Sequence, residues 1–233
     1  MGAISTALQS CHTRIREACK QAGRDDSCST LLAVSKTFPD IAIREAWAAG
    51  QRRFGESYLQ EALGKIQSLD DLPIEWHFIG PIQSNKTRAI ATNFSWAHGI
   101  ESEKIALRLS AQRPLELPPL QVCLQVNVSG EASKHGLSPD EALPLAHRVA
   151  KLPNLVLRGF MAIPEATADI GLLHQRFRTV AELLSRARTE GLRLDTLSMG
   201  MSSDMDIAIA EGATIVRVGT AIFGARTYPQ ESS

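Results

Sequence analysis

The feature that most constrains this chain is a repeated alternation. Short strand-like runs rich in Val, Ile, Leu and Phe alternate with helix-like runs from one end to the other. An opening helix is predicted over 4–22. Strands are predicted over 31–35, 53–55, 75–79, 95–97, 120–127, 155–161, 194–197 and 214–218. Helices are predicted over 39–49, 58–69, 85–92, 102–112, 139–151, 169–190 and 203–211, with a short last one after 221. Eight strand–helix units predict a single (β/α)8 TIM barrel with an extra N-terminal helix, spanning 1–233 as one domain. The alternative is an open doubly wound sheet. That fold normally carries a glycine-rich phosphate loop after its first strand, whereas here the strand runs into Ser35-Lys36-Thr37.

Local punctuation agrees with the alternation. Ser138-Pro139-Asp140-Glu141 predicts a capping box with proline at the first helical position. Ser57 with Gln60 reads as a second, weaker box, Ser84 as a helix cap, and Pro39 as a helix start. Ile170, Leu173, Phe177, Val180, Leu184 and Ala187 form a helical core stripe that stops before Gly191, a C-terminal cap.

Charge excludes some functions. Lys plus Arg is 25 and Asp plus Glu is 25, so no basic excess points to nucleic acid and no polybasic run to a membrane surface. No apolar run reaches membrane-span length. Cys11, Cys19, Cys28 and Cys123 form no C-x-x-C pair, which argues against a zinc site or a disulfide framework. Free thiols suit a reducing compartment, so the expected location is the cytoplasm.

In a barrel, function gathers where the strands end, and phosphate often binds after strands seven and eight. Lys36 ends a wholly apolar first strand, where burial disfavours the ammonium and a neutral amine is a nucleophile for carbonyls. Strand seven leads into Ser198-Met199-Gly200-Met201-Ser202-Ser203, and strand eight into Gly219-Thr220. Glycines let backbone N–H groups approach an anion, and hydroxyls add donors. Asp204 and Asp206 follow the first of these turns and must point away from any phosphate. Arg217 lies in a buried run and needs a partner, because it cannot deprotonate. Strands one and eight are neighbours in a closed barrel, so Lys36 and Arg217 can meet over one ligand carrying a phosphate and an electrophilic carbonyl. Pyridoxal 5′-phosphate matches, with Arg217 facing its pyridine nitrogen. His77 ends strand three, as a ligand contact or a satisfied core histidine. Asn127 and Met161 end strands five and six as wall residues, and Glu56 and Ser57 follow strand two.

Five motifs are recognisable: Leu32-Ala33-Val34-Ser35-Lys36-Thr37; Phe54-Gly55-Glu56-Ser57-Tyr58-Leu59-Gln60-Glu61; Trp76 through Lys86; Ser198-Met199-Gly200-Met201-Ser202; and Val216 through Gly224. Together they resemble the pyridoxal phosphate homeostasis protein family. The resemblance implies a fold-type III cofactor barrel like the N-terminal domain of alanine racemase, with the cofactor held as a Schiff base on Lys36. It implies a role in vitamin B6 homeostasis without established catalysis, with apo-enzymes that use the cofactor as recipients. Ser57 departs from the family's usual asparagine. The competing reading is an amino-acid racemase, which needs an acid/base group on each face of the substrate carbon. Lys36 can serve one face. The chain ends soon after the eighth unit, and neither Tyr58 nor Tyr228 is obviously placed for the other. A monomer is expected on the same ground. A weaker third reading is a cofactor-free barrel enzyme acting on a sugar phosphate.

Overall fold

A computed structural model describes residues 2–130 and 135–225. In chain order the elements are α1 (Ala3–Gln21), β1 (Thr30–Val34), α2 (Asp40–Ala48), β2 (Arg53–Glu56), α3 (Leu59–Ser68), β3 (Glu75–Phe78), α4 (Thr87–Asn93), β4 (Trp96–Ile100), α5 (Glu103–Gln112), β5 (Leu120–Val126), α6 (Pro139–Val149), β6 (Leu155–Ala162), α7 (Ile170–Thr189), β7 (Thr196–Ser198), α8 (Met205–Ala210), β8 (Ile215–Val218) and α9 (Thr220–Phe223). The eight strands are parallel and close into a barrel. Closure pairs β1 with β8, in the register Thr30↔Ile215 through Ala33↔Val218.

Strand alternation divides the apolar residues into two sets. Leu31, Ala33, Phe54, Phe78, Ala97, Leu124, Phe160, Leu197 and Val216 belong to the large cluster shared with the helices. Leu32, Trp96, Cys123, Met161 and Ile215, with Ile79, form a separate small cluster inside the barrel. The interior is completed by buried polar side chains, among them His77, His98, Gln125, Ser198 and Arg217. Helices cover the outside, which is why β4 and β5 read as almost continuously buried. The extra helix α1 buries Leu8, Cys11, Ile15 and Cys19 and packs along α8 and α9.

The Ser138–Glu141 capping box forms in full. Gly191 follows α7 with φ +92, as its capping role requires. Of the α7 stripe, Leu173, Phe177, Val180, Leu184 and Ala187 are buried, but Ile170 is exposed. Three local expectations are corrected. Ser57 caps nothing: Tyr58 occupies the N-cap of α3 without a side-chain bond. Ser84 does not cap α4, whose N-cap is Lys86; the Ser84 carbonyl instead accepts from Thr87 Oγ1 and Arg108 Nε. Strand four runs beyond 97, because Gly99 is not a breaker there. A Cβ at Gly99 would meet the Gly80 carbonyl oxygen at 2.6 Å, so the glycine permits two backbones to touch.

Candidate functional site

Lys36 is half-buried, two residues beyond β1, in a loop whose backbone is firmly held. The Ser35 N–H donates to the Gly55 carbonyl (3.1 Å) and the Phe38 N–H to the Ser35 carbonyl (3.1 Å). Thr37 lies in the left-handed region at φ +69, a conformation that costs a non-glycine residue about 1 kcal/mol or more. Its N–H donates to Glu61 Oε1 at 2.6 Å, which holds the turn in place.

Beneath that loop is a buried charge cluster. Lys65 Nζ, on α3, donates to the Ser35 carbonyl (2.7 Å), to Glu56 Oε1 (2.8 Å) and to Glu61 Oε1. The Ser35 hydroxyl donates to Glu56 Oε1 at 2.6 Å. Burial pushes the Glu56 carboxyl above its ordinary range, and Lys65 and Ser35 pull it back. Glu56 Oε2 is buried without a hydrogen-bond partner. The cluster clamps both sides of Lys36 through Ser35 and Thr37. Glu56 is thus a support for the lysine loop rather than a rim contact, and Lys65 gave no sign of this role from the sequence.

The turn after β7 needs its glycine. Gly200 has φ +93, and a Cβ there would stand 2.6 Å from Ala208 Cβ. Of the two acidic residues that follow, only Asp206 points away from this turn; the Asp204 carboxylate is directed back into it, against the expectation. Asp204 turns back to accept the Met201 N–H (2.5 Å), and Asp206 pairs with Arg14 of α1 (2.6 Å). Arg14 also donates to the Ser202 carbonyl (2.8 Å), so the N-terminal helix ties down this loop. Asp204, not Ser202 or Ser203, is the N-cap of α8. The turn after β8 meets the lysine loop. A Cβ at Gly219 would be 3.0 Å from the Val34 carbonyl oxygen, and the Phe38 and Phe223 rings lie 5.1 Å apart. Thr220, the first residue of α9, is exposed.

Arg217 is almost fully buried in the barrel interior. Nη1 donates to the Ser198 carbonyl and to Ser198 Oγ (2.9 Å), and Nη2 donates to the Ala162 carbonyl (2.8 Å). Burial lowers its pKa to about 10. No carboxylate pairs with it among the described residues. Three bonds against five donors leave N–H capacity for a ligand. A buried guanidinium with spare donors and no contacting carboxylate suits a ligand that brings an acceptor or a negative charge.

The remaining candidates are spread around the barrel. Met161 is inside, in the small apolar cluster, and β6 continues past it to Ala162. Asn127 follows β5; its Oδ1 accepts the Ser129 N–H (3.1 Å) and its N–H donates to the Leu137 carbonyl (2.8 Å). His77 is buried, and both of its ring nitrogens are taken by protein groups, His98 (2.9 Å) and Glu75 (2.8 Å). That places it in the core, with neither ring nitrogen left for a ligand. His98, which the sequence reading passed over, bonds Ser198 Oγ at 2.8 Å. Tyr228 lies outside the described residues. Among the described residues no cluster of His, Cys, Asp and Glu could hold a metal ion.

A closed parallel barrel, a lysine after its first strand and glycine turns after its seventh and eighth define one class of protein, the barrels built like the N-terminal domain of alanine racemase. The family model described as "Alanine racemase, N-terminal domain" matches residues 7–227. The chain is 59% identical to the pyridoxal phosphate homeostasis protein of Pseudomonas aeruginosa, covering 100% of both. It is 48% identical to that of Escherichia coli K12, over 99% of this chain and 100% of the relative. The chain belongs to the pyridoxal phosphate homeostasis protein family. Among solved structures, PipY of Synechococcus elongatus with pyridoxal phosphate bound is 36% identical, with a TM-score of 0.84 over 95% of this chain and 100% of that one. Alanine racemase from Corynebacterium glutamicum, at 18% identity and a TM-score of 0.68, covers 99% of this chain and 63% of its own, and shows the fold alone.

Proposed function

We propose that this chain binds pyridoxal 5′-phosphate at the C-terminal rim of the barrel and serves intracellular vitamin B6 homeostasis as a carrier, not a catalyst. The observation that carries this is the buried Arg217, with spare donors and no carboxylate in contact with it among the described residues, on the strand paired with the one that leads to Lys36. The cofactor-bound relative PipY supports it. The aldehyde would be held by Lys36 as a Schiff base. The phosphate would be held by the turns Gly200–Ser202 and Gly219–Thr220; Ser198, fully buried with its hydroxyl taken by Arg217 and His98, stands behind them and is not free for it. Met161, Asn127 and Ser57 would be wall residues. When bound, the cofactor supplies an electron sink, and an arginine at its ring nitrogen keeps that nitrogen unprotonated and weakens the sink. This suits storage better than turnover. The proposal extends to the whole chain acting as one monomeric domain in the cytoplasm and to apo-enzymes as recipients of the cofactor. The test is the visible spectrum of the purified protein during titration with pyridoxal phosphate. Saturable absorbance that is lost in Lys36→Ala supports the reading, and an unsaturable, lysine-independent spectrum refutes it.

A further inference from the structure

A single hydrogen-bonded row crosses the barrel interior from Arg217 to the opposite face. Its members are Arg217, Ser198, His98, His77 and Glu75, linked at 2.9, 2.8, 2.9 and 2.8 Å. The chemistry of the two ends fixes the direction of every link. A guanidinium only donates, so Ser198 Oγ accepts from Arg217 and gives its own O–H to His98 Nδ1. Complete burial, with His77 and Arg217 close by, keeps His98 neutral. A neutral His98 accepting at Nδ1 carries its proton on Nε2 and donates to His77 Nδ1. Burial also lowers the His77 pKa, so His77 is neutral and donates from Nε2 to Glu75 Oε1. Glu75 is held below the ordinary carboxylate range by His77 and Arg53, and accepts as an anion. Each link of the row pairs one donor with one acceptor, and one tautomer of each histidine satisfies it.

The row is also fixed sideways. The His77 ring stacks on Trp96, with centroids 5.2 Å apart and planes 8° apart. Arg158 covers Trp96 at 5.0 Å and pairs with Asp195. The carboxylate end opens into a cavity of about 670 Å³ at the N-terminal face of the barrel, bordered by Arg53, Glu75, Arg158 and Asp195. Apolar side chains would fill the same interior without the desolvation that four polar groups incur. Buried polar rows of this kind specify one arrangement when fully satisfied.

We propose that His98 and His77 are positioning residues for Arg217: the row holds the Ser198 hydroxyl as an acceptor toward the guanidinium, and so determines which Arg217 N–H groups face the rim. This rests on the reading of Arg217 as a cofactor contact. Neither histidine touches the cofactor; both act through Ser198. Without His98 the hydroxyl is free to rotate and to donate elsewhere, and the guanidinium keeps its bonds to the Ser198 and Ala162 carbonyls but loses the side-chain acceptor that helps orient its spare donors.

The test compares His98→Leu, which breaks the row, with His98→Gln, whose amide can accept from Ser198 and donate to His77. Ser198→Ala, which removes one hydroxyl, serves as a third variant. Two signals are read: the Arg217 side-chain 15N–1H resonance in cofactor-free protein, and the affinity for added pyridoxal phosphate. His98→Leu and Ser198→Ala are expected to shift or broaden the Arg217 resonance and to weaken binding by about tenfold or more. His98→Gln is expected to restore both to near wild type. A purely structural row would lower thermal stability in His98→Leu but leave the Arg217 resonance in place. That result, or an unchanged resonance in Ser198→Ala where His98→Leu does not fold, overturns the proposal. If wild type itself fails to bind the cofactor, the functional reading falls, while the resonance still decides whether the row orients Arg217.

Discussion

The buried pair under the lysine loop gives the most quantitative prediction. Lys65→Met removes the cation that Glu56 Oε1 meets at 2.8 Å, in a place where Glu56 is fully buried and its Oε2 is already unpartnered. Removing one partner of a buried ion pair costs about 3–5 kcal/mol. At roughly 2–4 °C per kcal/mol for a chain of this size, the melting point should fall by roughly 6–20 °C. The pH dependence has a definite sign. Burial raises the folded-state pKa of Glu56 above its ordinary value of 4.5, so what this group contributes to stability is present below that pH and is lost as pH rises through the folded pKa. Losing Lys65 removes a force that lowers the pKa, so it climbs further in the variant. The gap between wild type and Lys65→Met should therefore be small near about pH 5 and wide near about pH 8. Adding Glu56→Gln removes the unpaired charge and should recover most of the loss at the higher pH. Denaturant unfolding at the two pH values checks this. An equal loss at both, or no recovery in the double variant, would refute the account of this cluster.

Other outcomes follow from the same geometry. Thr220→Val should weaken cofactor binding by about 1.5–3 kcal/mol with an unchanged fold. Gly219→Val should weaken it as well, since its side chain would press on the Val34 carbonyl; titration of both variants is the check. Gly200→Ala meets Ala208 and a left-handed backbone, and should lower stability by about 1–3 kcal/mol in denaturant unfolding. The carrier reading predicts no Lys36-dependent exchange of amino-acid α-protons in deuterated water above the rate of free cofactor. Repeated turnover in wild type but not in Lys36→Ala would establish an enzyme instead.

The barrel was legible because short apolar runs alternate with helical ones along the whole chain and some helices carry clear end signals, as at Ser138 and Gly191. The lysine and the two glycine turns were legible because barrel topology assigns function to strand ends. The interior was less so. His98 follows Trp96 at the alternation expected of an inward residue, but it lies just beyond the strand predicted over 95–97. Only the packing of Gly99 on Gly80 shows why the strand continues. His77 stood at a strand end in the sequence, and only the cross-barrel register reveals that His98 and Glu75 occupy its nitrogens. Ser57 and Ser84 had the residue types of caps without the side-chain bonds. Lys65 lies on a helix with ordinary amphipathic spacing, and its place under Ser35 depends on how α3 meets β1.

The central claim is that Lys36 holds the cofactor at the rim of this barrel. Borohydride reduction of the protein loaded with pyridoxal phosphate, followed by peptide mass mapping, tests it most directly. The account predicts one stoichiometric adduct on the peptide containing Lys36, absent from Lys36→Ala. An adduct confined to another lysine, or one of equal yield in Lys36→Ala, would contradict it.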